Sequence, residues 1–261
     1  MSLKVACIQI DITFGEPKKN RAHVEEKMKE ALVHKPDVLV LPELWNTGYD
    51  LTRLDDIADE NGNETQSFLS AFSKRHHVSI VAGSVAKKTE KGVTNTMYVF
   101  NKNGEYISEY SKLHLFKLMD EHLYLQPGDS KHLFTLEDTL CSGVICYDIR
   151  FPEWIRVHTS AGAEVVFVVA EWPLPRLAHW KALLISRAIE NQCYVVACNR
   201  AGSDPNNTFA GHSLIIDPWG EIIAEAGQDE ETIIGTLDAK KVRDVRNQIP
   251  VFLDRRTEFY Q

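Results

Sequence analysis

The chain is poor in cysteine, with five among 261 residues, at positions 7, 141, 146, 193 and 198, and no Cys-x-x-Cys pair. Four of them lie in or beside apolar runs, and the number is odd, which fits reduced buried thiols and argues against a disulfide framework. Closely spaced metal ligands are missing as well: His76 with His77 and His114 with His122 lack a matching Cys or acidic pair, so no metal and no cofactor are expected. Positive charge is in deficit, 29 Lys and Arg against 37 Asp and Glu, for a formal net charge of −8. That balance disfavours nucleic acid and anionic membrane as partners and leaves small molecules. No apolar run approaches the ~20 residues of a membrane helix. The opening Met1–Ile10 enters a strand-like run without a basic start, which predicts no signal peptide and a cytoplasmic protein. No Pro/Gly/Ser-rich linker and no low-complexity stretch divides the chain, so a single domain over 1–261 is expected.

What is present is a globular composition, 44% hydrophobic and 25% charged, enough for a sizeable core. Apolar strand-like runs alternate with amphipathic helical ones: Val5–Ile10, Lys18–Val33, Val38–Leu41, a helical spacing at Phe68, Leu69 and Phe72, then Val78–Val81. A hairpin is predicted between Met97–Phe100 and Tyr106–Ser108 across Asn101-Lys-Asn-Gly104. The rhythm resumes with Gly143–Cys146, a helix led by Pro152, Val165–Ala170, a helix over Leu177–Asn191, Tyr194–Ala197, Ser213–Ile216 and Ile222–Ile223. The alternation predicts an α/β fold of mixed sheets with helices outside. Residues 248–261 mix apolar anchors with charge and read as an arm that packs on something, such as a partner subunit.

Three strand-like segments each end on one reactive side chain. Gly143-Val-Ile-Cys146 ends on a thiol just before the Pro152 helix, where a helix dipole would favour thiolate. Val38-Leu-Val-Leu-Pro-Glu43 ends on a carboxylate, and Tyr110-Ser-Lys112 places an ammonium beyond the hairpin. By itself Cys146 reads as a small core residue, Glu43 as a turn cap and Lys112 as a surface residue. Together they supply a nucleophile, a proton carrier and a cation for a developing oxyanion.

These segments resemble the nitrilase, or carbon-nitrogen hydrolase, superfamily, whose Glu-Lys-Cys triad lies on three such segments in this order. The likeness runs through Leu41-Pro-Glu43, Ser111-Lys-Leu-His-Leu-Phe116, Cys146-Tyr-Asp-Ile-Arg-Phe-Pro-Glu153, Ala170-Glu-Trp-Pro173, Cys198-Asn-Arg200 and Gly211-His-Ser-Leu-Ile-Ile-Asp-Pro-Trp-Gly220. It implies an αββα sandwich, two mixed β-sheets flanked by helices, and a homodimer. It implies Glu43 as general base, Lys112 and the Tyr147 N–H as oxyanion donors, Cys146 as nucleophile, and Glu121 as a second glutamate positioning lysine or substrate. Arg150 is a candidate for a substrate carboxylate or for pairing with Glu153 or another acid. Trp172 and Tyr49 are candidate pocket residues, and the other four cysteines read as inert core thiols.

The closest resemblance is to the small bacterial ω-amidase-like enzymes, which release ammonia from 2-oxoglutaramate or 2-oxosuccinamate. Such a substrate carries a carboxylate, so a cation besides Lys112 is needed, from Arg150, Arg176 or His179. The alternatives are an N-carbamoyl amine or aliphatic amide hydrolase using the same triad and, from another class, a non-catalytic binding protein. A nitrilase proper is disfavoured, because Tyr147 and Asp148 follow the cysteine where that branch has Trp and Glu.

Overall fold

The computed structural model describes residues 2–260; Met1 and Gln261, the outermost residues of the expected domain and arm, lie outside it. In chain order the strands are β1 (Ser2–Gln9), β2 (Val38–Val40), β3 (Asp59–Glu60), β4 (Ser79–Val81), β5 (Val85–Thr89), β6 (Gly92–Phe100), β7 (Tyr106–Ser111), β8 (Leu133–Leu136), β9 (Thr139–Ile145), β10 (Val165–Ala170), β11 (Tyr194–Asn199), β12 (Leu214–Ile216), β13 (Ile222–Glu225) and β14 (Glu231–Asp238). The helices are α1 (Pro17–Ala31), α2 (Leu54–Ile57), α3 (Asn63–His76), α4 (Glu121–Tyr124), α5 (Pro152–Ser160), α6 (Leu177–Asn191) and α7 (Ala239–Gln248).

Two mixed sheets result. One runs β14-β1-β2-β4-β6-β5-β3, with β7 also paired to β6; the other runs β13-β12-β11-β10-β9-β8. The central strands β1, β2 and β4 are parallel, as are β9, β10 and β11. Strands buried on both faces need side chains that are apolar all along, and Val38-Leu-Val40 and Val165–Ala170 are buried at every position.

Alternation along β1 shows the layering. Val5 and Cys7 face the second sheet, packing in one core with Val165, Phe167, Cys198 and the α5 and α6 residues Ile155, Trp180 and Leu184. Ala6 and Ile8 face the other way, into a core with Val24 and Met28 of α1 and Phe68, Leu69 and Phe72 of α3. The order is helix, sheet, sheet, helix, the expected sandwich. Helix α1 starts on Pro17, whose missing N–H is harmless at a first turn, and buries Asn20, Val24, Met28 and Ala31 along one stripe.

The hairpin forms at the expected turn, where Asn101 Oδ1 accepts from the N–H groups of Asn103 and Glu105 and Gly104 adopts φ +80°. Its strands are longer than expected: β6 begins at Gly92, because Asn95 and Thr96 are polar yet fully buried. Seven further elements have no counterpart in the predicted runs: the short α2, β3, β5, α4 and β8, and the longer β14 and α7, with β14 antiparallel to β1 over its whole length. No helix among the described residues is long and apolar enough to cross a membrane.

Candidate active site

The chemistry-bearing residues gather at the carboxyl ends of the parallel strands, where backbone leaving a sheet has room to present side chains. Cys146 directly follows β9, Glu171 follows β10, Arg200 follows β11, and Glu43 lies three residues beyond β2. Lys112 directly follows β7. The hydrophobic strands therefore do the aiming: their registers decide which of these residues meet.

Lys112 Nζ donates to Glu43 Oε1 at 2.8 Å and to Glu121 Oε1 at 2.6 Å, and all three side chains have no exposure. Asn95 Nδ2 donates to the same Glu43 oxygen at 2.8 Å, and the main-chain N–H of Glu171 donates to Glu43 Oε2 at 2.8 Å. Tyr49 donates to Glu121 Oε1 at 2.6 Å and lies 3.4 Å from Glu43 Oε1. The remaining Glu121 oxygen accepts the Phe116 N–H at 2.7 Å, which ties the loop before α4 to the cluster. Buried charges persist only when paired and hydrogen-bonded, and here each is.

Burial works against the Lys112 charge, but Glu121 and Glu43 outweigh it and hold its pKa well above the usual lysine value. Burial, opposed by Lys112 and reinforced by Glu43, pushes the Glu121 carboxyl up. Cys146 is buried against Glu43 and Lys112, and burial together with the Glu43 charge pushes its thiol well above the usual range, Lys112 pulling the other way. This corrects the helix-dipole expectation. Desolvation and the Glu43 carboxylate both favour the neutral thiol over the thiolate, so its activation calls for a proton acceptor.

Cys146 opens a short 3-10 turn, Cys146–Arg150, with φ +46°, a left-handed conformation that is strained for a residue with a side chain. Asp148 holds it there. Its Oδ2 accepts the Ile145 N–H at 3.0 Å and the Tyr110 hydroxyl at 2.8 Å, and its Oδ1 accepts the His114 N–H at 3.0 Å and contacts His114 Nδ1 at 2.8 Å. The segments bearing Cys146 and Lys112 are thus pinned to one carboxylate. The first N–H groups of a helical turn lack intrahelical acceptors, and Tyr147 supplies one beside the thiol.

A narrow cleft reaches Cys146, lined by Phe116, Tyr147, Trp172 and Pro173 together with Arg150 and Arg176. Trp172 is both wall and core, its ring tilted on Trp180 and its Nε1 donating to the Arg176 carbonyl at 2.8 Å. The Arg150 guanidinium lies 4.7 Å over the Trp172 ring, and the Arg176 guanidinium 5.5 Å over that of Phe116. Neither makes an ion pair among the described residues, and the Arg150–Glu153 pairing left open by the sequence does not form. Burial, with Arg176 nearby, pulls the Arg150 pKa below its usual value. His179 is exposed and lies 3.4 Å from Arg150.

The structure brings Glu43, Lys112, Glu121, Cys146 and Tyr49 into one cluster and Tyr147, Arg150 and Trp172 into the adjoining cleft. Tyr49 lies among the acids, its hydroxyl given to Glu121. Sequence reasoning assigned no role to Asn95, Asp148, Glu171 or Arg200. Polar residues inside apolar strand patterns were the available signal for Asn95, and strand-end charges for Glu171 and Arg200.

The carbon-nitrogen hydrolase family model matches residues 4–247. The chain belongs to the carbon-nitrogen hydrolase family. It is 55% identical over 260 residues to the 2-oxoglutaramate amidase of Bacillus subtilis, each protein covered in full. It is 34% identical to the omega-amidase YafV of Escherichia coli K12, over 97% of this chain and 96% of that one. A CN-hydrolase superfamily protein of Xanthomonas campestris, whose crystal structure carries an arsenic adduct in the active site, superimposes with a TM-score of 0.90 at 29% identity, over 98% of this chain and 97% of that one. Membership in this family makes the chain a carbon-nitrogen hydrolase, and the site above is its candidate catalytic centre.

Proposed function

We propose that this carbon-nitrogen hydrolase is an ω-amidase, releasing ammonia from 2-oxoglutaramate or 2-oxosuccinamate through a thioester on Cys146. The observation that carries the reading is the Cys146 thiol beside the buried Glu43–Lys112–Glu121 cluster, in a cleft lined by two arginines that make no ion pair among the described residues. The identity to the Bacillus amidase supports the same substrate class.

In this mechanism the Cys146 proton passes to Glu43 as sulfur attacks the amide carbon, and Lys112 and the Tyr147 N–H stabilise the oxyanion. Glu43 returns the proton to the amide nitrogen as the carbon–nitrogen bond breaks, and ammonia leaves. A water then loses its proton to Glu43 and attacks the thioester. The new carboxylic acid departs, and Glu43 hands the proton back to the sulfur. Glu121 and Tyr49 keep Lys112 in place through both steps. Arg150 and Arg176 hold the substrate carboxylate, with Trp172 walling the chain between.

The reading extends to assembly and location. Ile189, Ile222, Ile223, Ile249, Leu253 and Phe259 are large exposed apolar side chains on α6, β13 and the C-terminal arm, a surface suited to a second copy in a homodimer. Arg255 in that arm donates to Ser160 at the end of α5, which ties the arm to that helix. Five free cysteines suit the reducing cytoplasm.

A steady-state comparison of 2-oxoglutaramate, glutamine and an N-carbamoyl amine tests the substrate. The expected order places 2-oxoglutaramate first, and replacing Arg150 or Arg176 with Met should lower its kcat/KM by roughly 10- to 100-fold, the cost of a charged hydrogen bond of ~1.5–3 kcal/mol. Preference for the carbamoyl compound would move the enzyme to that hydrolase class.

A further inference from the structure

A buried ion pair that the mechanism does not use stands behind Glu43. Glu171 and Arg200 have no exposure, and each follows a parallel strand whose last residues, Ala170 and Asn199, are register partners. Arg200 Nη1 donates to Glu171 Oε2 at 2.8 Å. Its Nη2 donates to the Ile12 carbonyl at 2.6 Å, the Ser203 carbonyl at 3.1 Å and Asp11 Oδ1 at 3.2 Å, and the guanidinium lies 4.1 Å over the Phe209 ring. Burial pushes the Glu171 carboxyl up, and the Arg200 guanidinium pulls it the other way. A pair this deeply desolvated is a poor source of stability, which leaves its presence to be explained by what it holds.

It holds a main-chain N–H. Glu43 Oε1 accepts from Lys112 and Asn95, with the Tyr49 hydroxyl at 3.4 Å, so its lone pairs are occupied. Glu43 Oε2 accepts from the Glu171 N–H alone among the described residues, which leaves it one open lone pair. Oε2 is therefore the oxygen able to take a proton from Cys146, and the Glu171 main chain fixes where that oxygen sits. We propose that Glu171, clamped by Arg200, is a positioning residue for the general base: the anchored side chain keeps its N–H against Glu43 Oε2 and so presents that oxygen to the thiol. This rests on Glu43 being the proton carrier for Cys146.

The test is a double-mutant cycle. Glu171→Ala, Glu171→Gln and Arg200→Lys are each measured alone and combined with Glu43→Gln, reading kcat, KM and the rate of Cys146 alkylation by iodoacetamide, located by mass spectrometry. Loss of alignment in Glu171→Ala should lower kcat by about 10- to 100-fold and leave KM within about 2-fold. Alkylation of Cys146 should slow in parallel. Glu171→Gln keeps an acceptor for Arg200 and should recover most of kcat, and Arg200→Lys should follow Glu171→Ala. In the Glu43→Gln background Glu171→Ala should cost nothing further, since both act on one proton transfer. Additive losses, or a rise in KM at constant kcat, would overturn the proposal while leaving the amidase reading intact. A fully active Glu43→Gln enzyme would remove the base assignment and the proposal with it. If an Arg200 variant fails to fold, the Glu171 series still decides.

Discussion

Lys112→Met removes one ammonium and keeps an unbranched apolar stem, so its consequences follow from two short contacts. Glu43 and Glu121 share that ammonium at 2.8 and 2.6 Å with no solvent exposure. Breaking a buried pair by deleting one partner costs about 3–5 kcal/mol, a large part of the ~5–15 kcal/mol by which a domain is stable. The two carboxylates cannot both remain ionised in a dry site, so one is protonated in the folded variant. Its folded pKa then stands above the unfolded value near ~4.3, and a group raised in this way stabilises below its unfolded pKa and loses that contribution as the pH rises. Urea unfolding of Lys112→Met should therefore approach wild type toward pH 5 and fall progressively behind it toward pH 8. Loss of an oxyanion donor should in addition reduce kcat by about 10²- to 10³-fold. A variant with the stability gap of a surface mutation at every pH, or with an unchanged kcat, would refute the electrostatic account of the cluster.

Asp148→Asn should turn an acceptor into a donor facing either the Ile145 or the His114 N–H, costing about 1–3 kcal/mol by the penalty for an unsatisfied buried group, with kcat falling because the Cys146 turn is released; thermal unfolding and kcat measured together check this, and an unperturbed enzyme would contradict it. His132 is buried with Nε2 on Ser108, and burial depresses its pKa from 6.5 to about 3. A histidine kept neutral in the fold loses stability as the pH falls below its unfolded pKa, by about 2 kcal/mol between pH 6.5 and 5. Replacing His132 with Gln should flatten the stability profile over that window, and an unchanged slope in denaturant titrations would count against the assignment.

Much of the site was readable before any coordinates because its parts terminate hydrophobic runs. Val38–Leu41 and Gly143–Ile145 announce buried strands, and a carboxylate or thiol at such an end is out of place unless it has work there. The residues that escaped are those whose meaning depends on which strands become neighbours. Glu171 reaches Glu43 across 128 positions, and Arg200 reaches Glu171 only because β10 and β11 pair in register. Asn95 was hidden by a local rule: Asn and Thr in a strand read as exposed, whereas in β6 they face a buried carboxylate and a hydroxyl pair. The titration of Cys146 is hidden from the sequence for a similar reason. The helix dipole is visible in sequence, but the desolvation and the Glu43 charge that outweigh it exist only in three dimensions.

The central claim is that Cys146 carries the acyl group. Rapid acid quench of the wild-type enzyme turning over 2-oxoglutaramate, followed by mass spectrometry of the peptide containing Cys146, tests it most directly. The account predicts an acyl adduct on Cys146 that appears with a first burst of ammonia equal to the enzyme present, and neither signal in Cys146→Ala. Ammonia release without that adduct, or at the wild-type rate from Cys146→Ala, would contradict it.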